Sequence, residues 1–442
     1  MRVREPWRAL PLSSDVSEDG NTDNLGETGT IIVVSPAGDL ILDVRDESGK
    51  ESFAYRVELE CLSQASPYFS NLLHPGKFGE GARVRSEYES LKSRYGNVAQ
   101  ATPDELPHVA IMDIGRISKV NTIKNITADF LRALHGLDLS TASPPIPNLA
   151  NLAIVADRFD ALTYLSKYVR RRRYLQGVDG KTRTKSGASL PEERVRQRLL
   201  IGIMLDHAPW VATYSKRLII NGSTRWKPGA SEDDRAALWW DLPQGVEDEL
   251  IYRRECILET INSLQSHFLK LYTSGERQCK LGYDNSVQCD SFQLGEMVRF
   301  FIRLGTLRLQ GMIYDSETSQ AYAGDIDRLI DTLRQCPSYQ VDRNHAHCGL
   351  RTRLIPLLDL IQNHLSLDAG SLDVGICADC WQNHRAEYAW SEAKRPLMWT
   401  RSDLSRRRIQ GDTQGSLCLA RHHNVRDMFA AFERDWTARD PY

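Results

Sequence analysis

Four cysteine and histidine residues near the end of the chain have the spacing of a zinc site. Cys377 and Cys380 form a C-x-x-C pair, and Cys418 and His422 form a C-x₃-H pair. Zinc in structural sites is held tetrahedrally by thiolate and imidazole groups, and ligands spaced in this way can share one ion. Together these residues would make a Cys₃His site. His384 competes with His422 as the fourth ligand.

A second group of thiol and imidazole side chains lies earlier in the chain. His345 and Cys348 form an H-x-x-C half-site, and Cys279 and Cys289 supply two further thiols upstream. The long stretch of chain between the halves leaves their pairing open. We expect at least one structural zinc ion in the C-terminal part, bound by one of these two groups.

The cellular compartment decides between metal ions and disulfides. The N-terminal sequence lacks the apolar core of a signal peptide, so we expect an intracellular protein, cytoplasmic or nuclear, whose nine cysteines stay reduced. A redox role for the C-x-x-C pair is less favoured, because no strand–C-x-x-C–helix pattern surrounds it. Alternatively, cysteines such as Cys256 and Cys336 are small buried hydrophobic residues.

Composition and motifs narrow the classes of function. The chain has 442 residues, a formal net charge of −2 and 41% hydrophobic residues. This charge gives no overall attraction to nucleic acid or to an anionic membrane. The longest apolar run, 199–205, is too short to cross a bilayer. The sequence has no P-loop, G-x-S-x-G or H-E-x-x-H motif, and Asp290 disfavours a reactive thiolate at Cys289. We therefore expect no enzymatic activity and no small-molecule substrate.

The N-terminal part combines predicted strands with a helical pair. Residues 31–34 and 38–44 flank a turn-like S-P-A-G stretch and predict a β-hairpin, and 52–59 predict a third strand. The sequence L-S-Q-A-S-P-Y-F-S-N-L-L predicts two helices separated at Ser66 and Pro67. Serine caps helix N-termini, and proline suits the first helical position.

The polar stretch 79–106 predicts an inserted loop with a short helix. Residues 108–115 predict another strand, and Thr127 precedes an amphipathic helical run. Apolar residues at helical spacing predict two further helices within 148–173.

We therefore predict an α+β fold with a mostly helical C-terminal part. A disordered tail at 1–29 precedes a first domain at 30–172, a polar linker at 173–190, a helical domain at 191–371 and a tryptophan- and cysteine-containing module at 372–442. The predicted helices of the last two regions lie at 191–208, 246–275, 291–310, 324–335, 350–366 and, near the end, 421–436.

The first domain resembles a BTB/POZ domain of the type common in filamentous fungi. The resemblance rests on S-P-A-G-D-L-I-L-D-V, F-A-Y-R-V-E-L-E-C-L-S-Q-A-S-P-Y-F-S-N-L-L, K-F-G-E-G and L-A-N-L-A-I-V-A-D-R-F-D-A-L-T-Y-L-S-K-Y-V, in this order. It covers residues 30–172. The resemblance implies a protein-interaction module in which Tyr68, Phe69 and Leu72 pack the second helix of a helical hairpin against the sheet.

The same resemblance implies protein partners. Many BTB/POZ domains self-associate, and some bind the cullin scaffold of ubiquitin ligases through a hydrophobic-x-acidic element after this helical pair. Phe78 and Glu80 match that element. The alternative is that Phe78 covers the edge of the core and Glu80 is simply solvated.

Two functions from different classes remain. The first is a non-enzymatic scaffold, in particular a ubiquitin-ligase substrate adaptor, with protein partners and no membrane partner. The second is a nucleic-acid-associated transcriptional regulator that uses the basic run 168–175, Y-V-R-R-R-R-Y-L, and a zinc-stabilised C-terminal module. The basic run is also typical of a solvated helix end, where cations suit the helix dipole.

Overall fold

The computed structural model shows a mixed α/β protein that is mostly helical and contains two small sheets. The expected combination of many helices with a small sheet is confirmed at this level. None of the helices in the described ranges combines the length and apolar composition that crossing a bilayer requires. The structure describes residues 31–45, 52–118, 123–176, 190–227, 236–281, 286–307, 322–365, 374–401 and 417–437.

Four strands form the N-terminal sheet in the order β1-β3-β2-β4. β2 is antiparallel to β3, with Leu40 opposite Val57, whereas β1 is parallel to β3 and β4 is parallel to β2. The strands are β1 Ile32–Val33, β2 Leu40–Arg45, β3 Ser52–Val57 and β4 His108–Ile111.

The predicted hairpin of residues 31–34 with 38–44 is wrong. The N–H groups of Val34 and Ser35 both donate to the carbonyl of Arg56, so the chain continues along β3 instead of folding back on β2. Gly38 allows the crossing, because a Cβ there would lie 2.7 Å from the Arg56 side chain and 2.9 Å from the Val57 nitrogen.

The helical pair predicted around Ser66 and Pro67 is confirmed. Helix α1 spans Leu59–Ala65 and helix α2 spans Pro67–Leu72. The Ser66 hydroxyl accepts the N–H of Phe69 at 3.2 Å and donates to the carbonyl of Phe159 at 2.5 Å. Phe69 stacks on the Phe159 ring at 5.1 Å, so the second helix is held by an aromatic contact as well as by its cap.

The predicted loop at 79–106 is instead dominated by helix α3, Gly79–Tyr95. Its two i,i+4 ion pairs, Arg83–Glu87 and Arg85–Glu89, give it the polar composition that suggested a loop. Leu91 and the following Val98 nevertheless pack with Ile41 on the face of the sheet opposite the main core. The insertion therefore covers the second face of the sheet.

Three further helices complete the N-terminal part. They are α4 Ile123–Leu134, α5 Ile146–Arg158 and α6 Leu162–Arg172. The prediction of two helices within 148–173 is confirmed. Thr127 lies inside α4 and is buried, so it does not start that helix.

Helices predominate after the predicted linker, of which residues 177–189 lie outside the described residues. The first of them packs on α5, and its buried apolar residues belong to the same hydrophobic core as those of the N-terminal part. The second of them, at Ala208–Asn221, was not predicted from the sequence. The elements are α7 Glu192–Met204, α8 Ala208–Asn221, α9 Val246–Thr273, α10 Ser286–Arg303, α11 Ile326–Arg334 and α12 Leu350–Leu365.

The C-terminal module is built from short elements. Its last helix was predicted at 421–436 but ends at Ala430, because the chain then forms a strand parallel to an earlier one. The elements are α13 Ala378–Asn383, α14 Arg385–Tyr388, β5 Met398–Thr400, α15 Leu417–Ala430 and β6 Glu433–Asp435.

We expect Phe69→Ala to lower the free energy of unfolding by ~3 kcal/mol or more, because it leaves a cavity beside Phe159. Phe78→Ala is the matched control: Phe69 is 1% exposed and Phe78 is 52% exposed. Urea unfolding of the full chain measures both. A loss below about 1 kcal/mol for Phe69→Ala would show that its ring is not part of the core.

Candidate metal centres

The first candidate centre, called the C-terminal site, consists of Cys377, Cys380, Cys418 and His422. Cys377 is the N-cap residue of α13, and Cys380 follows within the first turn of that helix. The N–H of Trp381 donates to the carbonyl of Cys377, which fixes the turn between the two thiols. Cys418 and His422 are four residues apart on α15 and therefore lie on one face of it.

The four donor atoms of the C-terminal site all lie within 4.8 Å of one another. The Cys418 sulfur is 3.8 Å from that of Cys377, 3.7 Å from that of Cys380 and 3.4 Å from Nε2 of His422. A tetrahedron with Zn–S bonds of about 2.3 Å has S···S edges of about 3.8 Å. The donors are therefore spaced as zinc ligands and not as a disulfide.

His384 lies outside this group. It is exposed at the junction of α13 and α14, where its N–H donates to the carbonyl of Cys380. His422 is buried and occupies the fourth donor position instead.

The charge environment of the C-terminal site favours one thiolate in particular. The hydrogen bond from His422 lowers the pKa of Cys377 to about 6, although burial acts in the opposite direction. Burial raises the pKa of Cys380 and of Cys418, and the negative charge of Cys377 adds to both effects. A cation among these sulfurs would offset that repulsion, and a Zn²⁺ ion would supply the charge.

The second candidate centre, called the central site, consists of Cys279, Cys289, His345 and Cys348. Cys279 follows α9, Cys289 lies in the first turn of α10, and His345 ends a 3₁₀ turn before α12. The N–H of Cys348 donates to the carbonyl of His345, which closes the H-x-x-C turn. The site thus connects the end of α9 and the start of α10 to a turn far along the chain.

The donors of the central site have the same spacing. All four lie within 4.8 Å of one another. The Cys279 and Cys348 sulfurs are 3.8 Å apart, and Nδ1 of His345 is 3.4 Å from the first and 3.6 Å from the second. Nε2 of His345 faces the carboxylate of Asp342 at 3.9 Å, which is within the range of an ion pair but longer than a hydrogen bond.

Backbone support differs among the ligands of the central site. The Asp290 carboxylate accepts the N–H groups of Gln278 and Cys279 at 2.9 Å, so the residue expected to suppress thiol reactivity orients a ligand instead.

The thiols of the central site differ in pKa. Burial raises the pKa of Cys279, but hydrogen bonds from Ser286 and other neighbours outweigh it and bring the value to about 7. Burial raises the pKa of Cys289 to about 12.

A buried ion pair supports the C-terminal site from α9. Arg253 and Glu249 are both fully buried, with Nε and Oε1 2.7 Å apart. Nη1 of Arg253 donates to the carbonyls of Val374 and Gly375 and to the Tyr388 hydroxyl, at 2.9 to 3.3 Å. Glutamate and arginine at i,i+4 suggest a surface pair in a sequence, so nothing in the pattern indicated this role.

Tyr388 transmits this support to the metal ligands. Its hydroxyl oxygen accepts the N–H of Cys377 at 2.7 Å and donates to the carbonyl of Gly375 at 3.1 Å. Its ring packs nearly perpendicular to that of His422, with centroids 5.1 Å apart. Tyr272 has a comparable position at the central site, where its hydroxyl donates to the carbonyl of Cys348 at 3.0 Å.

Other residues singled out in the sequence lie away from both centres. Phe78 is the N-cap residue of α3, and Glu80 follows in its first turn; both side chains are exposed. Cys256 and Cys336 are buried, as predicted, and belong to neither donor group.

Two arginines of the basic run pair with nearby carboxylates. Arg170 pairs with Asp206 at 2.8 Å, and Arg172 pairs with Asp138 at 2.7 Å. The guanidinium of Arg172 also lies over the Tyr168 ring. These contacts are those of a capped, solvated helix end.

Comparisons with protein-family models, curated proteins and solved structures found no match for this chain.

We expect Tyr388→Phe to weaken zinc binding at the C-terminal site by about 10-fold or more, because the N–H of Cys377 loses its acceptor. Tyr272→Phe should weaken only the central site. Competition with a chelator measures both effects, each in a background where Cys348→Ser or Cys380→Ser leaves one site intact. Equal affinities for Tyr388→Phe and the unaltered site would exclude this positioning role.

Proposed function

We propose that this chain is a non-enzymatic protein-interaction scaffold. In this proposal a BTB/POZ-like N-terminal domain binds protein partners, and two structural zinc ions stabilise the helical C-terminal part. Zinc held by reduced thiols also fits the expectation of an intracellular protein.

The observation that carries the proposal is that each donor group supplies four protein ligands. Three sulfurs and one imidazole nitrogen fill a tetrahedral zinc ion completely, so no position remains for a substrate or an activated water molecule. Catalytic zinc sites have three protein ligands and one open position. The donor sets therefore favour structural metal over catalytic metal.

Each ion would join segments that the chain separates. At the C-terminal site zinc would tie Cys377 and Cys380 to α15, and at the central site it would tie the segment after α9 to α10 and to the turn before α12. Binding energy at such sites contributes directly to folding, because the donors are not assembled in the unfolded chain.

The BTB/POZ-like assignment is supported by the order of the N-terminal elements. Three strands are followed by a short helical hairpin capped at Ser66, then by β4 and by α4 to α6. The long α3 departs from the compact arrangement expected from the resemblance. Self-association through this part and binding of a cullin are both included in the proposal.

Phe78 and Glu80 are the proposed docking element. Phe78 is 52% exposed although it is a large apolar side chain, and Glu80 lies two residues later at the same helix N-terminus. An exposed aromatic residue beside an acidic one suits a partner that offers an apolar pocket with a basic rim. The nucleic-acid alternative is less favoured, because Arg170 and Arg172 are paired with carboxylates.

We expect elemental analysis of the full chain, purified without chelator, to find two zinc ions per molecule. Cys380→Ser and Cys348→Ser should each retain one ion, because each removes one ligand from one site. Cys61→Ser is the matched control and should retain two, since Cys61 belongs to neither donor group. A metal-free wild-type protein would contradict the zinc proposal outright.

Removing the metal should destabilise the C-terminal module and leave the N-terminal helical pair unchanged. With chelator present, we expect faster hydrogen exchange in residues 374–391 and 417–437 and unchanged exchange in 52–73, which contain no proposed ligand. Uniform protection throughout would show that metal does not stabilise the C-terminal module.

We expect Phe78→Ala to weaken capture of a cullin scaffold by the full chain without unfolding the protein, because it removes the exposed anchor. Leu397→Ala is the matched control, since Leu397 is 79% exposed in the C-terminal module. Undiminished capture by Phe78→Ala rejects the docking element. Failure of the wild-type chain to capture a cullin rejects the cullin as partner.

A further inference from the structure

The two donor groups differ in how far solvent reaches their sulfurs. In the central site Cys279 and Cys289 are buried, His345 is 0% exposed and Cys348 is partly exposed. In the C-terminal site Cys418 is exposed and Cys377 is partly exposed. Cysteines that ligate zinc are thiolates in both sites, so access is what differs between their sulfurs, and the most exposed sulfur should be oxidised first.

The geometry of the C-terminal site also provides a resolving thiol. The Cys418 sulfur lies 3.8 Å from that of Cys377 and 3.7 Å from that of Cys380. A disulfide bond is about 2.05 Å long, so a shift of less than about 2 Å would bring either pair into bonding distance. Cys418 is carried by α15, and the C-x-x-C pair by α13 and its N-cap.

We propose that Cys418 is an oxidation site for hydroperoxides, through which the C-terminal site releases its zinc ion. The inference rests on the proposed zinc sites. According to this proposal, peroxide removes zinc from the C-terminal site, while the central site keeps its ion.

The reaction balances with one peroxide molecule. The Cys418 thiolate attacks a peroxide oxygen, the O–O bond breaks, and a sulfenic acid and hydroxide form. A thiolate of the C-x-x-C pair then attacks the Cys418 sulfur and expels a second hydroxide as the disulfide forms. Two protons convert the hydroxides to water. The two sulfurs lose two electrons in total, which reduce the peroxide, and zinc leaves because two of its four ligands are gone.

Release would loosen only one end of α15. Phe429, near its other end, stacks on Trp390 at 5.7 Å, and its carbonyl accepts the hydroxyl of Thr260 on α9. These contacts do not involve the metal ligands. The C-terminal end of α15 should therefore stay docked on α9, so a reductant can restore the site.

The test uses the full, zinc-loaded chain and hydrogen peroxide, with a chromogenic chelator reporting released zinc. We expect one equivalent to leave about ten-fold faster than the other. Peptide mapping should find Cys418 linked to the peptide that contains Cys377 and Cys380. Cys418→His, which replaces the reactive sulfur by another zinc ligand, should keep two ions and lose the fast phase. Cys348→His is the matched change in the central site and should keep the fast phase.

A second measurement does not depend on whether these variants bind metal. A sulfenic-acid-trapping reagent applied to the wild-type chain during brief oxidation should label Cys418 first. Earlier labelling of Cys279, Cys289 or Cys348, or release of both ions at one rate, would overturn the inference. A chain with fewer than two zinc ions before oxidation would count against the proposed zinc sites, whereas the order of labelling still decides whether Cys418 is the oxidation site.

Discussion

The fully buried ion pair between Arg253 and Glu249 is the constraint on which the C-terminal half depends. Two charges inside a protein are tolerated only when they are paired and when their remaining hydrogen-bonding groups are satisfied. Arg253 meets most of this condition through Nη1, which donates to the carbonyls of Val374 and Gly375, and through the rings of Tyr388 and Trp390, whose centroids lie 4.9 and 5.0 Å away. Its Nη2 has no hydrogen-bond partner among the described residues. If that segment moved away, the buried guanidinium of Arg253 would lose these carbonyl and ring partners and face an apolar environment.

Glu249 holds the other end of the same segment. Its carboxylate accepts the N–H groups of Trp390 and Ser391 and the Ser391 hydroxyl. Burial acts to raise the pKa of Glu249, but the positive charge of Arg253, together with these hydrogen bonds, keeps it below its usual range. Residues 374–391 are thus fixed to α9 at both ends. Between these two anchors lie Cys377 and Cys380. At the far end of α9, Tyr272 supports the central site, about 28 Å from Arg253 along the helix axis.

What the sequence could predict follows from the range of the interactions involved. The donor groups could be proposed because thiols and imidazoles at short spacing have few other uses in a reduced chain. The Ser66–Pro67 break could be predicted because capping is local. The partner of β1 could not, since it depends on how Gly38 packs against β3. The length of α3 was hidden because its stability comes from ion pairs and from contacts with Ile41, far away in sequence. The role of Arg253 was equally invisible, because a buried and an exposed i,i+4 pair have the same sequence.

The position of the donor groups has a physical rationale in the lengths of the surrounding elements. Helices α13 and α14 have six and four residues, and β5 and β6 have three each. Isolated helices of this length are marginal in water, and a two-stranded sheet is rarely stable alone. The long α9 needs no such support, because it buries a full face along 28 residues. Both donor groups take ligands from places where regular structure is short: Cys377 and Cys380 from α13 and its N-cap, and Cys279, His345 and Cys348 from the segments before α10 and α12. Metal ligation and the buried ion pair are thus complementary, since the ion pair fixes one segment to α9 and the metal would then fix α15 to that segment.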